Sequence, residues 1–221
     1  MRYYLYISDA KVDMLLPQVP GALQRKVSAK FGFDIKILSG SLETQRATLD
    51  NRIARMAAVE QYLLENAQIG SPARPASWIQ GTVDAKFLDI GKGAILFLSG
   101  DPSSILALGG SDHHLVGATA PERVAIPMSF GPGLVRQLTS LLEARPEWLL
   151  GIDESATRST PASGADPGSE AWVSIVSWAF GHAESSVQKI EFLAKRLVTT
   201  KTSQDVAITL ATPLYVSAAD E

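Results

Sequence analysis

Short apolar runs separated by glycine, proline and aspartate dominate the middle of the chain. Residues 94–99 and 104–108 are two such runs, and their flanking turn-forming residues are typical of strands buried on both faces. A third run covers 114–118, after a Gly-Gly-Ser sequence at 109–111 that we expect to form a turn. Parallel neighbours need a connection of about a dozen residues or more, so the close spacing predicts an antiparallel meander. Residues 78–89 alternate loosely and predict a long strand that leads into it.

The N-terminal part of the chain has the pattern of a β-α-β unit. Residues 2–8 are rich in aromatic residues and predict a strand, whereas 11–16 and 22–30 predict two short helices. Residues 33–38 alternate between apolar and polar positions and predict a second strand. The two strands would then be parallel neighbours.

The C-terminal part suggests a second β-α-β unit. We expect a strand at 171–180, a helix at 187–198 with its apolar residues on one side, and a final strand at 205–216. Pro213 indicates an edge or a bulge in the final strand, because proline cannot donate a ladder hydrogen bond.

Two helices and a long loop complete the prediction. Residues 42–66 have apolar positions at helical spacing and predict an amphipathic helix that covers the sheet. We interpret the arginines of this helix as a solvated face with ion pairs inside the helix, and contact with an anionic ligand is the alternative. A shorter helix is expected at 134–144. Residues 155–170 are rich in Ser, Pro and Gly and predict a flexible loop that either covers a site or is plain disorder.

Together these elements predict an α+β protein with one domain over residues 1–221. It would have a mixed sheet with a central antiparallel meander, β-α-β units at both ends and helices packed on the sheet. The 46% hydrophobic and 19% charged content of the 221 residues is ordinary for a chain with a substantial core.

Charge and cysteine content exclude several classes of function. A net charge of -3 argues against a nucleic-acid partner, and the absence of cysteine excludes disulfides, thiolate metal sites and a cysteine nucleophile. The first residues are too polar for a secretory signal, and no apolar run approaches the roughly 20 residues of a membrane helix. We therefore expect a cytoplasmic protein that does not associate with membranes.

Polar residues follow the first predicted strand. Ser8, Asp9 and Lys11 would lie at its carboxyl end, the edge at which open α/β sheets bind ligands. Caps are common, so we favour the interpretation that Ser8 and Asp9 cap the following helix.

A second polar group follows the predicted strand at 104–108. Gly109, Gly110 and Ser111 could bind an anion through backbone N–H groups, and ordinary hairpin turns are the alternative. His113 and His114 are adjacent, so on a strand they would point to opposite faces and could not ligate one ion. We expect neither a metal nor a cofactor.

Three segments carry a resemblance to a known family. They are the N-terminal RYYLYISDAKVDM, a Leu-Gly-Gly-Ser sequence at 108–111 followed by His114 and a Val-Gly pair, and the Thr-Pro-Leu-Tyr-Val sequence at 212–216. In these features the chain resembles an uncharacterised family of bacterial, mainly actinobacterial, proteins. The resemblance covers most of the chain. It implies a fold of its own and no particular function.

The preferred hypothesis is a non-enzymatic domain that senses or binds a small molecule, with an anionic ligand such as a nucleotide as the candidate. The alternative is a protein-interaction or assembly module, with a homo-oligomer as one form. A second alternative is a metal-dependent hydrolase that uses His113, His114 or His182.

Overall fold

The computed structural model describes most of the chain. The described ranges are 2–31, 45–91, 93–101, 103–117, 168–183, 185–201 and 205–219. The strand expected at 33–38, the helix expected at 134–144 and residues 155–167 of the expected loop lie outside them.

Within these ranges the chain forms four α-helices, seven strands and two short 3-10 helices. The α-helices are α1 (Asp9–Leu15), α2 (Gly21–Phe31), α3 (Gln45–Asn66) and α4 (Gly168–His182). The strands are β1 (Tyr3–Ile7), β2 (Ile69–Gly70), β3 (Trp78–Gly91), β4 (Ala94–Asp101), β5 (Ser104–Ser111), β6 (Gln188–Lys201) and β7 (Ala207–Ala218). The 3-10 helices are Leu16–Gln18 and Asp112–His114.

The predicted α+β class and mixed sheet are confirmed, but the sheet closes into a barrel and is not the plain meander that was expected. β3, β4 and β5 pair antiparallel in succession, and β5 then pairs parallel with β7. β6 is antiparallel to both β7 and β3, which closes five strands into a ring. Two register shifts between β6 and β7 mark bulges, which let strands bend sharply enough for closure.

Helices cover the barrel on two sides. Side chains such as Tyr6, Phe97 and Phe192 fill the interior. Outside it, α1, α2 and α3 pack against β1, β6 and β7, whereas α4 packs on the meander and the first half of β7. β4 and β5 are therefore buried on both faces, as their continuous apolar runs predicted, whereas β3 alternates between buried and exposed positions. None of the described helices is both long and apolar enough to cross a membrane.

The predicted C-terminal β-α-β unit is wrong in two of its three elements. The expected strand at 171–180 is helix α4, and the expected helix at 187–198 is strand β6. Val176 and Ala179 of α4 are buried at helical spacing against the meander. β6 pairs with β3 through residues 188–195 and with β7 through residues 190–201, so strand pairing extends along its whole length.

Two expectations about the end of the meander are also wrong. The Gly-Gly-Ser sequence at 109–111 is not a turn, because it pairs with residues 94–96 as the last part of β5. In the described part of the expected strand at 114–118, which is 114–117, the chain instead ends the 3-10 helix Asp112–His114 and forms a single bridge between Leu115 and Tyr6.

The carboxyl ends of β1 and β5 meet beside β7. β5 pairs with residues 207–211 of β7, whereas Tyr6 and Ile7 of β1 pair with Val216 and Tyr215. Neither strand pairs with residues 212–214, although the Ser8 N–H donates to the Leu214 carbonyl at 2.8 Å. We call this opening beside residues 212–214 the fork. The bulge expected at Pro213 is confirmed, since the register shifts there against β6.

Candidate functional site

The fork brings the two predicted polar groups together. Ser8 and Lys11 follow β1, and Gly110 and Ser111 end β5. Tyr6 links the two groups, because a Cβ atom built on Gly110 would lie 2.3 Å from the Tyr6 hydroxyl oxygen. The missing side chain of Gly110 therefore makes room for the Tyr6 hydroxyl. Neither Gly109 nor Gly110 has a positive φ, so space and not backbone conformation requires glycine at 110.

Tyr6 presents a buried hydroxyl to this cluster. Its side chain is fully buried, and its hydroxyl makes no hydrogen bond of good geometry with any described residue. Burial raises the pKa of the Tyr6 phenol, and the neighbouring Ser8 hydroxyl and Ser111 backbone oppose that rise. The phenol is therefore a protonated donor at neutral pH. The Thr212 hydroxyl, at the fork on β7, is also buried and has no partner within the described ranges.

Lys11 is the most unusual member of the cluster. Its side chain is only 3% exposed, and its Nζ donates to the Ser8 Oγ at 3.2 Å. No described carboxylate is close enough to pair with it, and burial lowers the pKa of the ammonium to about 7. Ser8 occupies the N-cap position of α1, but its hydroxyl makes no capping hydrogen bond. The Ser8 hydroxyl accepts the hydrogen bond from Lys11 instead.

Asp9, Arg52 and His114 form a second layer beside Lys11. Arg52 donates through Nε to the Asp9 carboxylate at 2.7 Å and through Nη2 to the carbonyls of Ile7 at 2.6 Å and His114 at 3.1 Å. The His114 Nδ1 lies 3.5 Å from the other Asp9 oxygen. Burial alone would raise the pKa of Asp9, but His114 and Arg52 outweigh it and hold that pKa below its ordinary value. These contacts join α3 to the ends of both strands.

Arg52 was missed by the sequence analysis. Arg52 and Arg55 of α3 pair with α1, not within their own helix, since Arg52 contacts Asp9 and Arg55 contacts Asp13. The sequence did contain a signal for this pairing. Arg52 and Arg55 are three residues apart, and Asp9 and Asp13 are four residues apart, so each pair lies on one face of its helix. Tyr6 was missed because its position fits an ordinary strand residue.

The remaining histidines lie elsewhere. His113 is 3.9 Å from Asp112, whose backbone N–H donates to the Gly93 carbonyl at the turn between β3 and β4. His182 stacks on Trp178 at the end of α4, with ring centroids 4.7 Å apart. Among the described residues, no three His, Asp or Glu side chains form a group that could hold a metal ion.

An open groove of about 540 Å³ lies beside β1 and is separate from the cluster, since neither Ser8 nor Lys11 lines it. Its lining includes Phe97 and Leu115, and both are neighbours of Tyr6. The described lining residues carry no charged side chain, so the groove suits an apolar group better than an anion. The charged groups are at the fork, where Lys11 donates to the Ser8 hydroxyl and Arg52 pairs with the Asp9 carboxylate.

The comparisons with known proteins give a family and no activity. No curated protein and no solved structure matches the chain significantly. A model described as a family of unknown function (DUF7019) matches residues 2–220, and the chain therefore belongs to that family.

Proposed function

We propose that this chain is a small-molecule binding domain that takes an anionic ligand at the fork. The carrying observation is Lys11, a buried amine that no described carboxylate neutralises. Lysine is almost never fully buried without a partner, because removing an unpaired charge from water is expensive. A ligand that carries the missing negative charge would remove this cost.

The hydroxyls of the fork support the same proposal. Tyr6 and Thr212 each have a buried hydroxyl with no partner among the described residues, and Ser8 adds a third hydroxyl next to the amine. Each can donate a hydrogen bond to a carboxylate or phosphate oxygen. Bonds of this kind to charged oxygens are stronger than neutral ones, so a small oxyanion could satisfy several groups together.

The test is a thermal-shift screen with inorganic phosphate, simple carboxylates and nucleotides. An anion at about 100 times its dissociation constant should add roughly 2.7 kcal/mol to the stability of the protein. Lys11→Met removes the charge and keeps a similar side-chain length, so it should abolish this gain. Lys26→Met, at an exposed position of α2, is the matched control and should keep it. Equal stabilisation of Lys11→Met and wild type by every active anion would overturn the proposal.

A further inference from the structure

We infer that Lys11 forms a reversible imine with a carbonyl group of the ligand. This inference rests on the proposed function, since it assigns the ligand of the same site to a chemical class. The class is a small carbonyl compound that also carries an anionic group, such as a 2-oxo acid. The carbonyl would meet the Lys11 amine, and the anionic group would meet the hydroxyls of the fork.

The surroundings of Lys11 favour the neutral amine, which is the form that attacks a carbonyl. Its Nζ contacts the Ser8 hydroxyl, and no described carboxylate holds a proton on it. Since burial lowers the pKa to about 7, the free base is populated at neutral pH, whereas an exposed lysine is almost entirely protonated there. Two lysines elsewhere in the described ranges differ, because Lys26 is exposed, and Lys201 is exposed and paired with Asp205 at 2.7 Å. Desolvated lysines such as Lys11 are the ones that form Schiff bases in other proteins.

The reaction needs no oxidant or reductant. The lone pair of the Lys11 nitrogen attacks the carbonyl carbon, and one N–H proton moves to the carbonyl oxygen to give a carbinolamine. The carbon–oxygen bond then breaks, the second N–H proton leaves with that oxygen, and the products are an imine and one water molecule. The Ser8 hydroxyl, 3.2 Å from Nζ, is placed to pass both protons from nitrogen to oxygen. Tyr6 can donate a hydrogen bond to the same oxygen.

The experiment traps the imine in the full-length protein. Wild type is incubated with glyoxylate and sodium cyanoborohydride, which reduces an imine to a stable secondary amine. Lactate replaces glyoxylate as the matched anion without a reactive carbonyl. With glyoxylate at limiting concentration, peptide mapping should place the first adduct on Lys11, and lactate should give none. The trapping rate at Lys11 should level off above about pH 7, whereas the rate at exposed lysines should keep rising towards about pH 10.

Variants separate chemistry from folding. Lys11→Arg keeps the positive charge but offers no free amine, so the adduct should disappear, and Lys26→Met should retain it. Ser8→Ala should slow trapping by about a hundredfold while leaving the modified residue unchanged. Circular dichroism checks that each variant folds. If Lys11→Arg does not fold, peptide mapping of the wild-type adduct still decides the point.

The outcomes distinguish the inference from the proposed function. First adducts on exposed lysines, or a rate at Lys11 that keeps rising above about pH 9, would overturn the imine. Thermal stabilisation by anions without any Lys11 adduct would overturn the imine and leave anion binding in place. If anions do not stabilise the protein and no adduct forms, both the imine and the proposed anion binding are wrong.

Discussion

Replacing Lys11 with methionine should stabilise the protein, and the gain should depend on pH. In the folded state burial lowers the pKa of Lys11 from 10.5 to about 7, whereas the unfolded chain keeps the ordinary value. Between these two values the unfolded state binds more protons than the folded state, so the free energy of unfolding rises with pH. The cost of burying the amine is therefore complete below pH 7 and absent above pH 10.5.

The size of the effect follows from the pKa difference. A shift from 10.5 to about 7 corresponds to roughly 5 kcal/mol at about 1.4 kcal/mol per pKa unit. Between pH 6 and pH 9, wild type should gain about 3 kcal/mol relative to Lys11→Met. At pH 6, Lys11→Met should exceed wild type by up to about 5 kcal/mol, because methionine fills nearly the same space without a charge.

The assay is urea unfolding at pH 6, 7, 8 and 9, followed by tryptophan fluorescence, for wild type, Lys11→Met and the exposed control Lys26→Met. The difference between wild type and each variant cancels the other titrating groups, and extrapolation to water gives the free energies. Lys26→Met should track wild type at every pH. Parallel curves for wild type and Lys11→Met would refute the reasoning, since they would mean that the amine keeps an ordinary pKa or is paired with a charge.

Two further changes test contacts made by the N-terminal segment, one at Tyr6 and one at Arg2. Gly110→Ala should destabilise the protein by about 1–3 kcal/mol, because its methyl group would lie 2.3 Å from the Tyr6 hydroxyl oxygen. Tyr6→Phe in the same chain should recover part of that loss in a double-mutant cycle, and strictly additive losses would contradict the contact. Gly181→Ala is the control, since its methyl group meets no atom within 4 Å. Glu60→Gln should lower stability by about 1–3 kcal/mol, because this buried carboxylate accepts from Arg2 at 2.8 Å; an unchanged melting temperature would count against the ion pair.

The elements that the sequence predicted correctly are those with local signals. The strands of the meander have turn residues at both ends and few residues between them, and α3 has five apolar positions at helical spacing. At α4 and β6 the predicted strand and helix were wrong because the local pattern does not decide between the two structures. Ile190, Leu193 and Leu197 of β6 also fit a helical spacing, and only pairing with β3 and β7 decides the structure. Both partners lie outside any local sequence window.

The candidate site shows the same division between local and distant information. Ser8, Lys11, Ser111 and His114 were selected because polar residues follow predicted strands, and the structure brings their two segments together at the fork. The sequence could not show that they meet, because the meeting depends on pairing of both segments with β7, which is far from either in the chain. Arg52 was interpreted as part of a solvated face because its partner Asp9 lies on another helix.

The predicted effects of Lys11→Met and Gly110→Ala point in opposite directions, and that contrast separates two kinds of residue. Gly110 is required by packing, so its replacement should lower stability whether or not an anion is present. Lys11 lowers the stability of the free protein, so its replacement should raise stability and at the same time remove the response to anions. A lysine that served only the fold would not show this combination. Measuring the free energy of unfolding and its increase with anions for the two variants therefore tests whether the fork is a binding site or only a packed junction.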